Sequence, residues 1–94
     1  MQTTKVEGSN TKNKVFLYTL STCGWCKKTK ELLKEKGVAY EYLDLDKCSK
    51  EDQKTAIVEL KAKNLPVAFP IIIVNDDKVI QGFKKDNILK ALEL

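Results

Sequence analysis

Cys23 and Cys26, in the run Cys23-Gly24-Trp25-Cys26, are the residues of this 94-residue chain whose type and spacing could do chemistry. Two thiols so placed can form and break one disulfide. A closed zinc site takes four Cys or His ligands, and this chain has three cysteines and no histidine, so redox chemistry is the expectation. If a helix opens at the first cysteine, its unpaired N–H groups and its dipole favour a thiolate over a thiol. The thiolate is the attacking species. Cys23, at the tip of such a helix, is expected to attack a substrate disulfide. Cys26, one turn further in and less exposed, is expected to resolve the mixed disulfide. Lys27 is assigned the role of adding positive field near Cys23, while Lys28 and Lys30 read as a solvated helix face. Cys48 stands alone and reads as a bystander.

The flanking segments supply the positioning. Val15-Phe16-Leu17-Tyr18-Thr19 is a short apolar and β-branched run, a buried strand. Lys27 to Lys36 is rich in helix formers, so a helix is predicted from about Gly24 to Lys36, with Gly37 at its C-terminal cap. Tyr40 to Leu45 alternates apolar and acidic residues as a half-buried strand would. Strand, helix and strand of these lengths make a parallel βαβ unit. Ser49 and Asp52 resemble a capping box opening a second helix to about Lys61, with Ile57, Val58 and Leu60 assigned to the core. Pro70 begins the strand Ile71 to Val74, whose unbroken apolar character implies cover on both faces. Asn75-Asp76-Asp77 turns the chain into a hairpin with Lys78 to Gln81. Gly82 breaks that strand, and Lys85 to Leu94 carries Ile88, Leu89 and Leu92 at helical spacing. The predicted order is β-α-β-α-β-β-α, a four-stranded mixed sheet with three helices. Residues 1–14 are polar and without period, and are predicted to be a disordered leader ahead of one domain, 15–94.

Composition narrows the classes. At 43% hydrophobic and 32% charged residues the balance is that of a globular chain rather than a disordered or membrane one. No apolar run approaches the roughly 18 residues of a membrane span. The leader lacks the apolar block of a signal peptide, so a cytoplasmic location is expected, where a dithiol stays reduced and serves catalysis. Net charge is +4, and all 17 basic residues are lysines. Without arginine forks or a basic stripe interleaved with aromatics, nucleic-acid binding is not expected.

With these elements in order, the chain resembles the glutaredoxin branch of the thioredoxin fold across Val15 to Leu94. Tyr18-Thr19 ahead of Cys23-Gly24-Trp25-Cys26, Phe69-Pro70 ahead of Ile71-Ile72-Ile73, and Gly82 before the last helix carry the resemblance. It implies a thiol–disulfide oxidoreductase acting on protein or small-molecule disulfides, a monomer with no tightly bound cofactor. It also implies a cis bond before Pro70 and a substrate surface at Trp25, Phe69, Pro70, Gly82 and Phe83, where an extended substrate pairs like an added strand. Glutathione-using members usually carry a basic residue where this chain has Leu20, and two glycines where it has Gln81-Gly82. The run Gly82-Phe83-Lys84-Lys85-Asp86 is instead similar to redoxins that serve ribonucleotide reductase and are recharged by a thioredoxin-reductase-type enzyme. These departures count against glutathione as the donor. Gly24, where many dithiol members have proline, is similar to members that hold an iron–sulfur cluster between two subunits, so a cluster-bridged carrier through Cys23 is the alternative reading.

Overall fold

The computed structural model describes residues 3–94; the part of the leader at Met1 and Gln2 lies outside them. Eight elements follow one another: β1 (Thr4–Val6), β2 (Val15–Thr19), α1 (Gly24–Glu35), β3 (Tyr40–Asp44), α2 (Lys50–Ala62), β4 (Ile71–Val74), β5 (Lys78–Gln81) and α3 (Lys85–Ala91). They build a five-stranded sheet of order β1-β3-β2-β4-β5. Strands β2 and β3 run parallel, with Leu17 opposite Tyr42 and Thr19 opposite Asp44. The other three pairings are antiparallel.

The period-two alternation of strand side chains divides the core in two. Leu17, Ile72 and Val74 pack with Leu32 and Leu33 of α1 and with Ile88 and Leu92 at α3. Tyr18, Leu43, Ile71 and Ile73 turn to the opposite face and meet Ala56 and Leu60 of α2. All four residues of β4 are buried, as its unbroken apolar run requires when helices cover both faces.

The expectation of four strands behind a disordered leader is corrected in its described part. Thr4, Lys5 and Val6 pair with Tyr42, Glu41 and Tyr40 as an added edge strand. Further along, the Asn10 N–H donates to the Gly37 carbonyl at 2.8 Å and the Ala39 N–H donates to the Asn10 carbonyl at 3.0 Å. The physical reason is that β3 presents an open edge, and main-chain hydrogen bonds to an edge ask nothing of side-chain periodicity.

Helix ends follow local chemistry. Ser49 caps α2, its hydroxyl accepting the Asp52 N–H at 3.1 Å. At the end of α1, Gly37 takes φ 68°; its N–H reaches Lys34, and that of Val38 reaches Leu33, the pattern of a Schellman cap. Helix α3 ends at Ala91 rather than Leu94 because Glu93 adopts φ 59° and the chain turns out of the helix. One core assignment is also corrected. Val58 is 65% exposed, because the buried stripe of α2 runs through Ala56 and Leu60 and Val58 sits half a turn from both.

Candidate active site

Cys23 is the N-cap of α1. Its extended backbone (φ −83°, ψ 117°) lets the sulfur curl over the first turn, where it accepts the Cys26 N–H at 3.2 Å. The Cys23 N–H is itself held by the Leu20 carbonyl at 3.1 Å, and its carbonyl accepts the first helical N–H, from Lys27, at 3.1 Å. Sulfur therefore occupies the position that N-cap oxygens take in other helices, facing the positive end of the dipole. Cys23 is half-buried, whereas Cys26 is fully buried. Burial first, then the neighbouring Cys23 sulfur, push the Cys26 thiol up to about 12. The two thiols so differ in access, Cys23 reaching solvent and Cys26 not.

The five residues predicted to meet substrate come together. Trp25, Phe69, Pro70, Gly82 and Phe83 line one cleft of about 210 Å³. The Phe69–Pro70 bond is cis. Trp25 stacks on Phe83 with ring centroids 5.8 Å apart and planes 20° from parallel. Such a pair contributes about 0.5–1.5 kcal/mol beyond its buried area. Lys28 lies over the Trp25 ring at 4.9 Å. Trp25 is nonetheless 55% exposed, so the stack is a wall of the cleft rather than part of the core. Gly82 takes φ 84°, a left-handed conformation that turns β5 toward α3 and that a side chain would strain. The side-chain amide of Gln81, beside Gly82, donates to the Pro66 carbonyl at 2.9 Å.

The lysines do not all stand as the sequence suggested. Lys27 is exposed. Lys30, read as part of a solvated face, is instead folded onto the sheet. Its ammonium lies 3.1 Å from Asp44 of β3 and 3.8 Å from the centre of the Tyr42 ring, with both charged side chains four-fifths or more removed from solvent. The Thr19 hydroxyl, fully buried, donates to the same Asp44 carboxylate. A signal for Lys30 existed: it follows Cys26 by one helical turn and so shares its face. What it would find there was not legible locally.

Cys48 is half-buried beside a separate cleft with Asp44, Ser49 and Asp52. Burial, then Asp52, push its thiol up. It has the surroundings of a quiet thiol. Among the described residues no group of three or more Cys, His, Asp or Glu side chains is placed to hold a metal within one chain.

Comparison with known proteins adds to this geometry. A family model described as glutaredoxin matches residues 15–80. The chain is similar in structure to a glutaredoxin from Methanosarcina mazei, at 39% identity and a TM-score of 0.87, covering 100% of this chain and 90% of that one. It is similar to methanoredoxin from Methanosarcina acetivorans at 46% identity and a TM-score of 0.80, over 86% and 85% of the two chains. It is similar as well to NrdH-redoxin from Escherichia coli, a glutaredoxin-like protein described as having a thioredoxin-like activity profile, at 25% identity and a TM-score of 0.67, over 82% and 92%.

Proposed function

The chain belongs to the glutaredoxin family, and from that premise we propose that it is a thiol–disulfide oxidoreductase that reduces disulfides of proteins or small molecules through Cys23 and Cys26. The observation that carries the reading is the N-cap sulfur of Cys23, half-exposed and hydrogen-bonded by the Cys26 N–H, above a fully buried second thiol. The Cys23 thiolate attacks one sulfur of the substrate disulfide; the other sulfur leaves as a thiolate and takes up a proton from water. Cys26 then loses its proton and attacks the Cys23 sulfur. The bond to the substrate breaks, the second substrate thiol is released, and the pair is left as a Cys23–Cys26 disulfide. Two electrons pass from the dithiol to the substrate. The cleft of Trp25, Phe69, Pro70, Gly82 and Phe83 orients the extended segment that carries the substrate disulfide.

The recharging donor in this reading is a thioredoxin-reductase-type enzyme rather than glutathione. Leu20, where a cation serves glutathione, packs instead among Leu45, Phe69 and their apolar neighbours. The thioredoxin-like profile described for the similar NrdH-redoxin points the same way.

Turnover of a model disulfide, followed with each reductase system, tests both statements. Cys23→Ser is expected to abolish reduction, and Cys26→Ser to accumulate mixed disulfides with protein substrates. Retention of turnover by Cys23→Ser would reverse the assignment of roles. Turnover with glutathione and its reductase exceeding that with the thioredoxin-reductase system would refute the donor assignment while leaving the chemistry intact.

A further inference from the structure

The dithiol chemistry leaves one step without a helper. Resolution requires a thiolate at Cys26, yet Cys26 is fully buried. No histidine exists in the chain to take its proton. Directly along the same helix face, one turn on, sits a lysine that is held rather than free. Lys30 is fixed from three sides: by its own helix, by the Asp44 carboxylate at 3.1 Å, and by the Tyr42 ring at 3.8 Å. Asp44 is in turn fixed by the Thr19 hydroxyl. Long surface lysines ordinarily keep their ammonium in water, and this one gives up most of its hydration to lie against Asp44 and Tyr42, one helical turn beyond Cys26.

On the redox reading above, we propose that Lys30, clamped by Asp44 and Tyr42, is a positioning residue for the resolving step, its ammonium favouring the Cys26 thiolate as Cys26 attacks the mixed disulfide.

The groups acting on Cys26 are few. Burial and the adjacent Cys23 sulfur hold its proton, while the Leu20 main chain and the Lys30 charge favour losing it. From the sheet side, Asp44 of β3 is engaged by Lys30 and Thr19. Formation of the mixed disulfide changes this balance. Once the Cys23 sulfur is bonded to substrate it carries no negative charge, and its opposition falls away. Leu20 and Lys30 then act against burial alone. Cys26 releases its proton to solvent, attacks Cys23, and the substrate thiolate departs and is protonated.

The size of the effect follows from charge and nucleophilicity together. The Lys30 charge is the smallest of the influences on the Cys26 thiol and is shared with Asp44, so a shift of about half a unit at most is expected from it, about a threefold change in thiolate fraction. A less acidic thiol is intrinsically the better nucleophile by about threefold per unit, so removal of the charge slows resolution by about twofold near neutral pH.

The experiment uses a chromogenic aryl disulfide and rapid mixing with reduced protein carrying Cys48→Ser. The first equivalent of aryl thiol reports attack by Cys23, and the second reports resolution by Cys26. Lys30→Gln is expected to leave the first phase unchanged, to slow the second about twofold, and to move its pH profile to higher pH; Lys30→Arg is expected to restore the wild-type rate. A second phase and pH profile unaltered in Lys30→Gln would overturn the inference. So would equal slowing of both phases, which marks a merely structural lysine. Absence of a rapid first phase in the parent protein would instead sink the underlying redox reading.

Discussion

At the scale of single residues, the buried thiol couples protonation to folding. Cys26 keeps its proton to about 12 in the folded protein, with burial the main cause. An unfolded cysteine loses it near about 8.5. Between those values the folded state binds one more proton than the unfolded state, so stability falls as pH rises. The contribution is fully present below about pH 8 and is lost at up to about 1.4 kcal/mol per pH unit above about 9. Tyr18 and Tyr40 are also shifted upward by burial and act in the same direction. Comparison with Cys26→Ala separates the thiol from the tyrosines. Denaturant unfolding of reduced protein at pH 8 and pH 10 is expected to show a steeper loss in the parent than in Cys26→Ala. Parallel losses would mean that Cys26 is not the group titrating.

At the scale of the elements, α1 is the part that makes the site, and its first residue is not the best available for a helix start. Gly24 occupies the first helical position, where a proline costs no hydrogen bond and supplies a fitting φ. A Cβ added there would meet nothing within 4 Å. The preceding residue, Cys23, already holds the extended conformation that a following proline demands. Gly24→Pro is therefore expected to stabilise the reduced protein by about 0.4–1 kcal/mol, by restricting the unfolded chain. Thermal unfolding checks this, and a fall in the midpoint would show that the helix start is more constrained than its open surroundings indicate. The same substitution leaves the Cys26 N–H free to reach the Cys23 sulfur, so the geometry of the pair survives.

At the scale of the molecule, the dithiol and the Gly8 to Asn10 part of the leader occupy opposite ends of α1. A helix of 12 residues spans about 18 Å. Cys23 caps its start, while Gly8 and Asn10 dock where the chain leaves its end. The docking is close: a Cβ on Gly8 would lie 2.5 Å from the Gly37 carbonyl oxygen and 2.7 Å from the Ala39 nitrogen. Those neighbours are backbone and have little room to yield. Gly8→Val is expected to cost about 1–3 kcal/mol by overpacking and to increase hydrogen exchange of the β1–β3 pairing, while thiol reactivity of the folded protein stays unchanged. Unaltered stability together with unaltered exchange would show that the leader does not dock there in solution.

The sequence by itself determined the features that depend on neighbours along the chain. A β-branched run made β2 and β4, Ser49 and Gly37 set helix ends, and the spacing of Cys23 and Cys26 put two thiols on the first turn of a helix. Their signals act within a turn or a strand and need no partner from elsewhere. Phe69, Pro70, Gly82 and Phe83 were legible as candidates through family resemblance, but their meeting with Trp25 depended on β4 lying beside β2 and on β5 turning back at Gly82. Tertiary structure alone decided three things. Thr4–Val6 became a strand because β3 offered it an open edge, which no property of three polar-flanked residues announces. Val58 stayed in solvent because packing selected the phase of α2, when its local pattern allowed more than one. Lys30 left the solvated face because α1 crosses the sheet where β3 ends in Asp44, bringing together charges that lie 14 residues apart in the chain. An ion pair of that kind is a property of how two elements pack, and packing is fixed by the whole apolar core rather than by either residue.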